Sequence, residues 1–119
     1  MIPITTFSTS IYLCTRPTDM RKAYDGLCGE VVSFMKQEPT SGHLFVFVNK
    51  RRDRMKILVW DRHGFWLLCK RLEAGRFQLP ALHDPVQRST VLSPEQMLMV
   101  LEGIDLNSVQ MRRRYRRVS

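Results

Sequence analysis

Apolar residues along this chain fall into two spacings, and each predicts a different kind of element. Met20, Ala23, Tyr24, Leu27, Val31, Phe34 and Met35 recur at steps of three and four, one stripe of an α-helix. The spacing predicts a helix over residues 19–37. Thr18 stands where an N-cap belongs, and Asp19 where the helix dipole favours negative charge. Gly26 and Gly29 fall inside the helix and weaken it by up to about 1 kcal/mol each relative to alanine, unless one of them allows close packing on a sheet. Pro39-Thr40-Ser41-Gly42 is a turn cluster that closes it.

The second spacing is that of strands. Residues 44–49 (LFVFVN) form a continuous apolar run, as in a central strand covered on both faces. Residues 55–60 alternate Met55, Ile57 and Val59 with Lys56, Leu58 and Trp60. Residues 65–70 alternate Phe65, Leu67 and Cys69 with Trp66, Leu68 and Lys70. The links, 50–54 and 61–64, have the length of hairpin turns. Residues 7–14 add an earlier strand, stopped by Arg16-Pro17. Gly75, Pro80 and Pro85 leave 71–91 irregular. A second helix then starts with Ser93 as N-cap, Pro94 in the first turn and Gln96 completing a capping box. Leu92 and Met97 are spaced as a hydrophobic staple, and Met97, Leu98, Val100 and Leu101 point inward. Gly103 ends the helix. The expected fold is α+β: an antiparallel meander of about four strands, one long N-terminal helix on it, and a short C-terminal helix. Residues 1–105 form the single domain, and 106–119 a basic tail.

Charge turns attention to partners. The net charge is +8 and the pI about 10, which favours DNA, RNA, an anionic membrane surface or an acidic protein. The excess is clustered, which points most strongly to nucleic acid. One cluster is Lys50, Arg51, Arg52, Arg54 and Lys56 at a hairpin turn. A second is Lys70, Arg71 and Arg76. A third is Arg112, Arg113, Arg114, Arg116 and Arg117 around Tyr115 in the tail, which supplies five of the net positive charges. Guanidinium groups bind phosphate through paired hydrogen bonds, and each neutralised phosphate releases counterions. An ordinary solvated surface is the plainer alternative for each cluster.

Catalytic chemistry finds little support. Cys14, Cys28 and Cys69 are an odd number, with no CxxC spacing, and read as buried free thiols. His43, His63 and His83 fall in predicted turns, away from each other and from cysteine, so no metal site is expected. There is no Gly-x-Ser-x-Gly elbow, P-loop or dinucleotide fingerprint. No carboxylate precedes a lysine by two residues, a common nuclease pattern; a nuclease would have to use Asp61 or Glu73. The reading is a non-enzyme without cofactors. No signal peptide and no membrane-length apolar run are visible, which predicts a soluble cytoplasmic protein.

Several segments, in order, carry a resemblance. They are Asp19-Met20-Arg21-Lys22 with Gly26-Leu27, Gly42-x-Leu44-Phe45-Val46-Phe47, and Asn49-Lys50-Arg51-Arg52-Asp53-Arg54-Met55-Lys56. Lys70-Arg71-Leu72-Glu73-x-Gly75-Arg76-Phe77, Leu92-Ser93 and Gly103-Ile104-Asp105 follow. The set resembles the small TnpB-type accessory protein, the second open reading frame, of the insertion-sequence-66 family of bacterial transposons. Ala23 and Leu79 depart from the small residue and the tryptophan expected there. The resemblance marks Asp19, Arg21 and Lys22 as a family motif and implies an accessory role in transposition beside a separate transposase. With the basic clusters it yields a non-catalytic factor that binds transposon-end or non-specific duplex DNA. An adaptor docked on the transposase is the alternative, which an exposed Trp60 or Trp66 would favour.

Overall fold

The computed structural model describes residues 9–82, 84–105 and 110–111. Its centre is a five-stranded sheet of β1 (Ile11–Cys14), β2 (Leu44–Val48), β3 (Arg54–Asp61), β4 (Gly64–Arg71) and β5 (Ser89–Leu92). The spatial order is β4-β3-β2-β1-β5. The meander β2–β3–β4 is present as the short links require, with Phe45 opposite Leu58 and Val59 opposite Trp66. The sheet is nevertheless mixed. β1 and β2 run parallel, with Leu13 beside Val46, because α1 (Tyr24–Ser33) carries the chain back across the sheet between them. β5 pairs antiparallel with β1 inside the stretch expected to be irregular. Its four residues include β-branched Thr90 and Val91, too short a run to stand out beside Pro80 and Pro85.

Both faces of the sheet are covered, which accounts for the unbroken apolar run in β2, buried at all five positions. Phe45, Phe47 and Leu58 face Leu27, Val31 and Met35 of the α1 layer. Ile11, Leu13, Val46, Ile57 and Val59 face Phe77 and two residues of α2 (Pro94–Glu102), Met97 and Val100. The capping box of α2 is as read: the Gln96 N–H donates to Ser93 Oγ and the Ser93 N–H to Gln96 Oε1. Leu98 is exposed, not inward. After α2, β6 (Ile104–Asp105) pairs with β7 (Gln110–Met111), which lies in the stretch read as tail.

The first helix is shorter than its apolar stripe suggested. It begins at Tyr24, its N-cap is Ala23 with no side-chain cap bond, and Tyr24 is exposed. Two competing interactions take the preceding turn. Asp19 accepts from the Arg21 N–H, an Asx turn that offers the backbone an alternative to helix. The carbonyls of Met20 and Lys22, which a longer helix would use, accept from Lys56 Nζ at 2.7 Å each.

Gly26 and Gly29 have different uses. A Cβ on Gly26 would meet the Lys22 Cβ at 3.1 Å, so it makes room for the lysine stem and not for the sheet. A Cβ on Gly29 would meet nothing within 4 Å. Gly29→Ala is expected to raise stability by about 0.5–1 kcal/mol. Chemical denaturation of the two single alanine variants checks this, with Gly26→Ala gaining less or losing.

Candidate nucleic-acid interface

The turn between β2 and β3 is organised by Asn49. Its Oδ1 accepts from the N–H groups of Asp53 and Arg54, its Nδ2 donates to Asp53 Oδ1, and its carbonyl accepts from the Arg52 N–H. Arg52 sits at φ 60, a left-handed conformation that arginine adopts at some energetic cost. The result is a rigid turn that leaves Lys50, Arg51, Arg52 and Arg54 exposed. The Asn49 hydrogen bond holds the Asp53 carboxyl below its usual range, so Asp53 stays ionised as the anchor of the turn.

The second basic cluster is tied to this turn through the backbone. The Leu72 N–H donates to the Asp53 carbonyl at 2.8 Å and the Phe77 N–H to the Arg52 carbonyl at 2.7 Å. Phe77 is fully buried and fixes the segment carrying Arg76. Arg71 stands directly opposite Arg54 across the β3–β4 ladder. Clusters separated in sequence by some 20 residues therefore form one end of the sheet. Its exposed cations are Lys50, Arg51, Arg52, Arg54, Lys70, Arg71 and Arg76. Arg51 lies 4.0 Å from Asp53 and Arg71 3.0 Å from Glu73, exposed pairs of little strength. Lys70 reaches the Leu101 carbonyl at 3.3 Å. Lys56 points elsewhere, onto the 20–22 segment, and holds its carbonyls.

Of the three residues Asp19, Arg21 and Lys22 that the resemblance marks, Asp19 borders the same end. Thr18 N–H donates to the Val48 carbonyl, bringing residues 18–20 against the turn, with a cleft of about 440 Å³ between them. Hydrogen bonds from Arg21 hold the Asp19 carboxyl down at about 2. Lys22 turns back to Glu30 at 3.0 Å, and Arg16 meets both Glu30 oxygens at 3.0 Å. Burial pushes the Glu30 carboxyl up, but the Arg16 and Lys22 hydrogen bonds outweigh it, leaving it below the ordinary range.

Register adds two arginines that the sequence reading did not select. Cys14 pairs with Ser89, and the Thr15 N–H donates to the Arg88 carbonyl at 3.1 Å, so Arg16 and Arg88 emerge at the same end, beyond β1 and β5. Their sequence separation of 72 gives no signal of this. Asn49 was equally missed as a site residue, although an asparagine opening a tight turn is a recognisable sign. Arg112, Arg113, Arg114, Arg116 and Arg117 lie outside the described residues.

The residues weighed for other chemistry do not converge. Asp61 is at the far end of the β3–β4 hairpin and accepts from the Trp66 indole N–H at 3.1 Å, whereas Glu73 pairs with Arg71 at the basic end. Among the described residues no group of three or more His, Cys, Asp and Glu side chains could hold a metal ion. His43 is half-buried: its Nδ1 accepts from the Ser10 N–H at 3.0 Å and its ring meets Tyr12 edge-on. His63 is exposed in its turn. His83 lies outside the described residues. The thiols differ from the uniform burial expected. Cys14 is buried, and that burial pushes its pKa up; Cys28 is half-buried; Cys69 is exposed because β4 is an edge strand. No described helix is long and apolar enough to cross a membrane.

The architecture and the gathered charge define a small basic α+β domain whose cationic side chains are presented from strand ends and turns. Comparison with known proteins supplies the family. Residues 9–111 match the family described as IS66 Orf2 like protein, and the chain belongs to it. It is a transposition-associated accessory protein. It is 35% identical over 100 residues to the uncharacterized protein y4jC of Sinorhizobium fredii (strain NBRC 101917 / NGR234), covering 84% of this chain and 83% of that one. It is 34% identical over 95 residues to the uncharacterized protein y4hO of the same strain, covering 80% of each. No solved structure matches.

Proposed function

We propose that the protein is a non-catalytic DNA-binding accessory factor of transposition that grips backbone phosphates with the basic end of its sheet. The observation that carries this reading is the joining of the 50–54 turn to the 70–76 segment by the Leu72 and Phe77 backbone hydrogen bonds. Seven exposed cations then share one end with few opposing carboxylates. Such an array neutralises phosphates without reading bases, so it positions DNA more than it selects sequence. The tail arginines add five positive charges to the chain.

Binding to a labelled transposon-end duplex and to a scrambled duplex, across a salt series, tests the proposal. Tight binding with a steep salt dependence is expected for both, with a modest difference between them. Absence of binding at low salt would defeat it.

A protein-interaction adaptor is the second reading. It is favoured by Trp66, 40% exposed on edge strand β4, an aromatic group of the kind that anchors interfaces. In this reading the element's transposase would be the partner. Retention of the transposase from nuclease-treated extract by wild-type protein, and its loss with Trp66→Ala, would favour the adaptor over the DNA-binding factor.

A further inference from the structure

The basic end does not stop at the clusters legible in the sequence. Read across the sheet in strand order, it carries Arg71 at β4, Arg54 at β3, Asn49-Lys50 after β2, Arg16 after β1 and Arg88 before β5. Four strand spacings span about 19 Å, roughly five to six nucleotide steps of one DNA strand. At the β1–β5 end of this row the chemistry changes. The Arg16 guanidinium lies 4.0 Å over the Phe34 ring centroid, and that of Arg88 5.1 Å from it. Arg16 is held in place by its fork on Glu30, and Arg88 Nη1 reaches the Phe34 carbonyl at 3.4 Å. A groove of about 440 Å³ opens beside them, with Leu82 and Val86 on its other wall, 44% and 76% exposed. The Thr15 hydroxyl fixes that wall by donating to the Gln87 carbonyl at 2.7 Å. Asp84, also in the wall, accepts the Val86 N–H and turns the loop.

We propose that this groove holds an unpaired nucleotide of the DNA strand that runs along the basic end. The proposal rests on the DNA-binding reading. Guanidinium planes and apolar walls stack on any base, and adjoining arginine N–H groups suit its phosphate. The groove is continuous with the phosphate row and carries its sign of charge, the combination a strand leaving a duplex end presents.

Anisotropy measurements on the full chain at one fixed salt concentration test it. One probe is a blunt duplex; the other is the same duplex with a three-nucleotide single-stranded extension containing 2-aminopurine. The extended duplex is expected to bind about tenfold tighter, with altered 2-aminopurine fluorescence. Leu82→Ser combined with Val86→Ser, both exposed on the groove wall and outside the basic row, is expected to erase the preference and the fluorescence change while the blunt duplex still binds; an unchanged melting curve establishes that the variant is folded. Equal binding of the two probes by wild-type protein, as for a groove that takes an acidic peptide, overturns the groove assignment alone. So does a preference that survives in the variant. Failure to bind either DNA overturns the basic-end reading together with it.

Discussion

Exchanging Lys50, Arg52, Arg54 and Arg71 for glutamine is expected to lower duplex affinity at 50 mM salt by about a hundredfold or more and to flatten its salt dependence. Each phosphate contact contributes about 0.9 to the slope of log affinity against log salt, so four lost contacts remove about 3.6. The set draws on both clusters deliberately. If the two act as one surface, Arg71→Gln reduces the slope as Arg54→Gln does, although 17 positions separate them. Arg62→Gln, exposed in the opposite hairpin turn, is the matched control and leaves the slope unchanged. All four exchanged side chains are exposed, and removing charge at 54 and 71 relieves a directly opposed like-charged pair, so the fold is retained. A slope equal to wild type would remove the basic end as the DNA contact.

Glu30→Ala is expected to destabilise the fold by about 2–3 kcal/mol in chemical denaturation. Breaking a buried ion pair costs about 3–5 kcal/mol because a charge is left without a partner. Here the carboxylate is buried, its side chain 10% exposed, but Arg16 is 51% and Lys22 39% exposed, so water screens the stranded cations and the loss is smaller. The pH dependence has a defined sign. The folded pKa of Glu30 lies below the ordinary value of about 4.3. The stabilisation is therefore fully present above that value and lost as pH falls through the lower folded pKa. The difference between wild type and Glu30→Gln is complete above about pH 5 and shrinks as pH falls through the lower folded pKa, so the two converge in acid. A constant difference from pH 3 to pH 7 would show that Glu30 acts by packing and not by charge.

Much of this molecule is written locally, and those parts were legible. The LFVFV run has the pattern of a strand covered twice, the links at 50–54 and 61–64 have the length of hairpin turns, and Ser93 with Gln96 carries its own cap. What the sequence concealed depends on partners far along the chain. Met20 fits the apolar stripe of α1, yet Lys56, 36 residues on, takes its carbonyl and stops the helix short of it. The parallel pairing of β1 with β2 follows from where α1 returns the chain, not from either strand's composition. β5 is specified by the β1 edge it completes. At the candidate interface the turn residues Lys50–Arg54 were legible as clustered charge. Their union with Lys70, Arg71 and Arg76 became visible only through the ladder register. Arg16 and Arg88 join only through the closure of β5 on β1.

The opposition of Arg54 and Arg71 has a thermodynamic corollary. Like charges placed face to face on neighbouring strands work against the ladder that holds them. Glu73 offsets Arg71 only weakly, as an exposed pair, so the unliganded domain keeps part of this repulsion, and a polyanion settling on this end would relieve it while binding. Ligation and folding are then linked through one electrostatic energy, with occupancy stabilising the native state. Added salt acts on the two in opposite directions: it screens the self-repulsion and firms the empty fold, while it competes away the ligand.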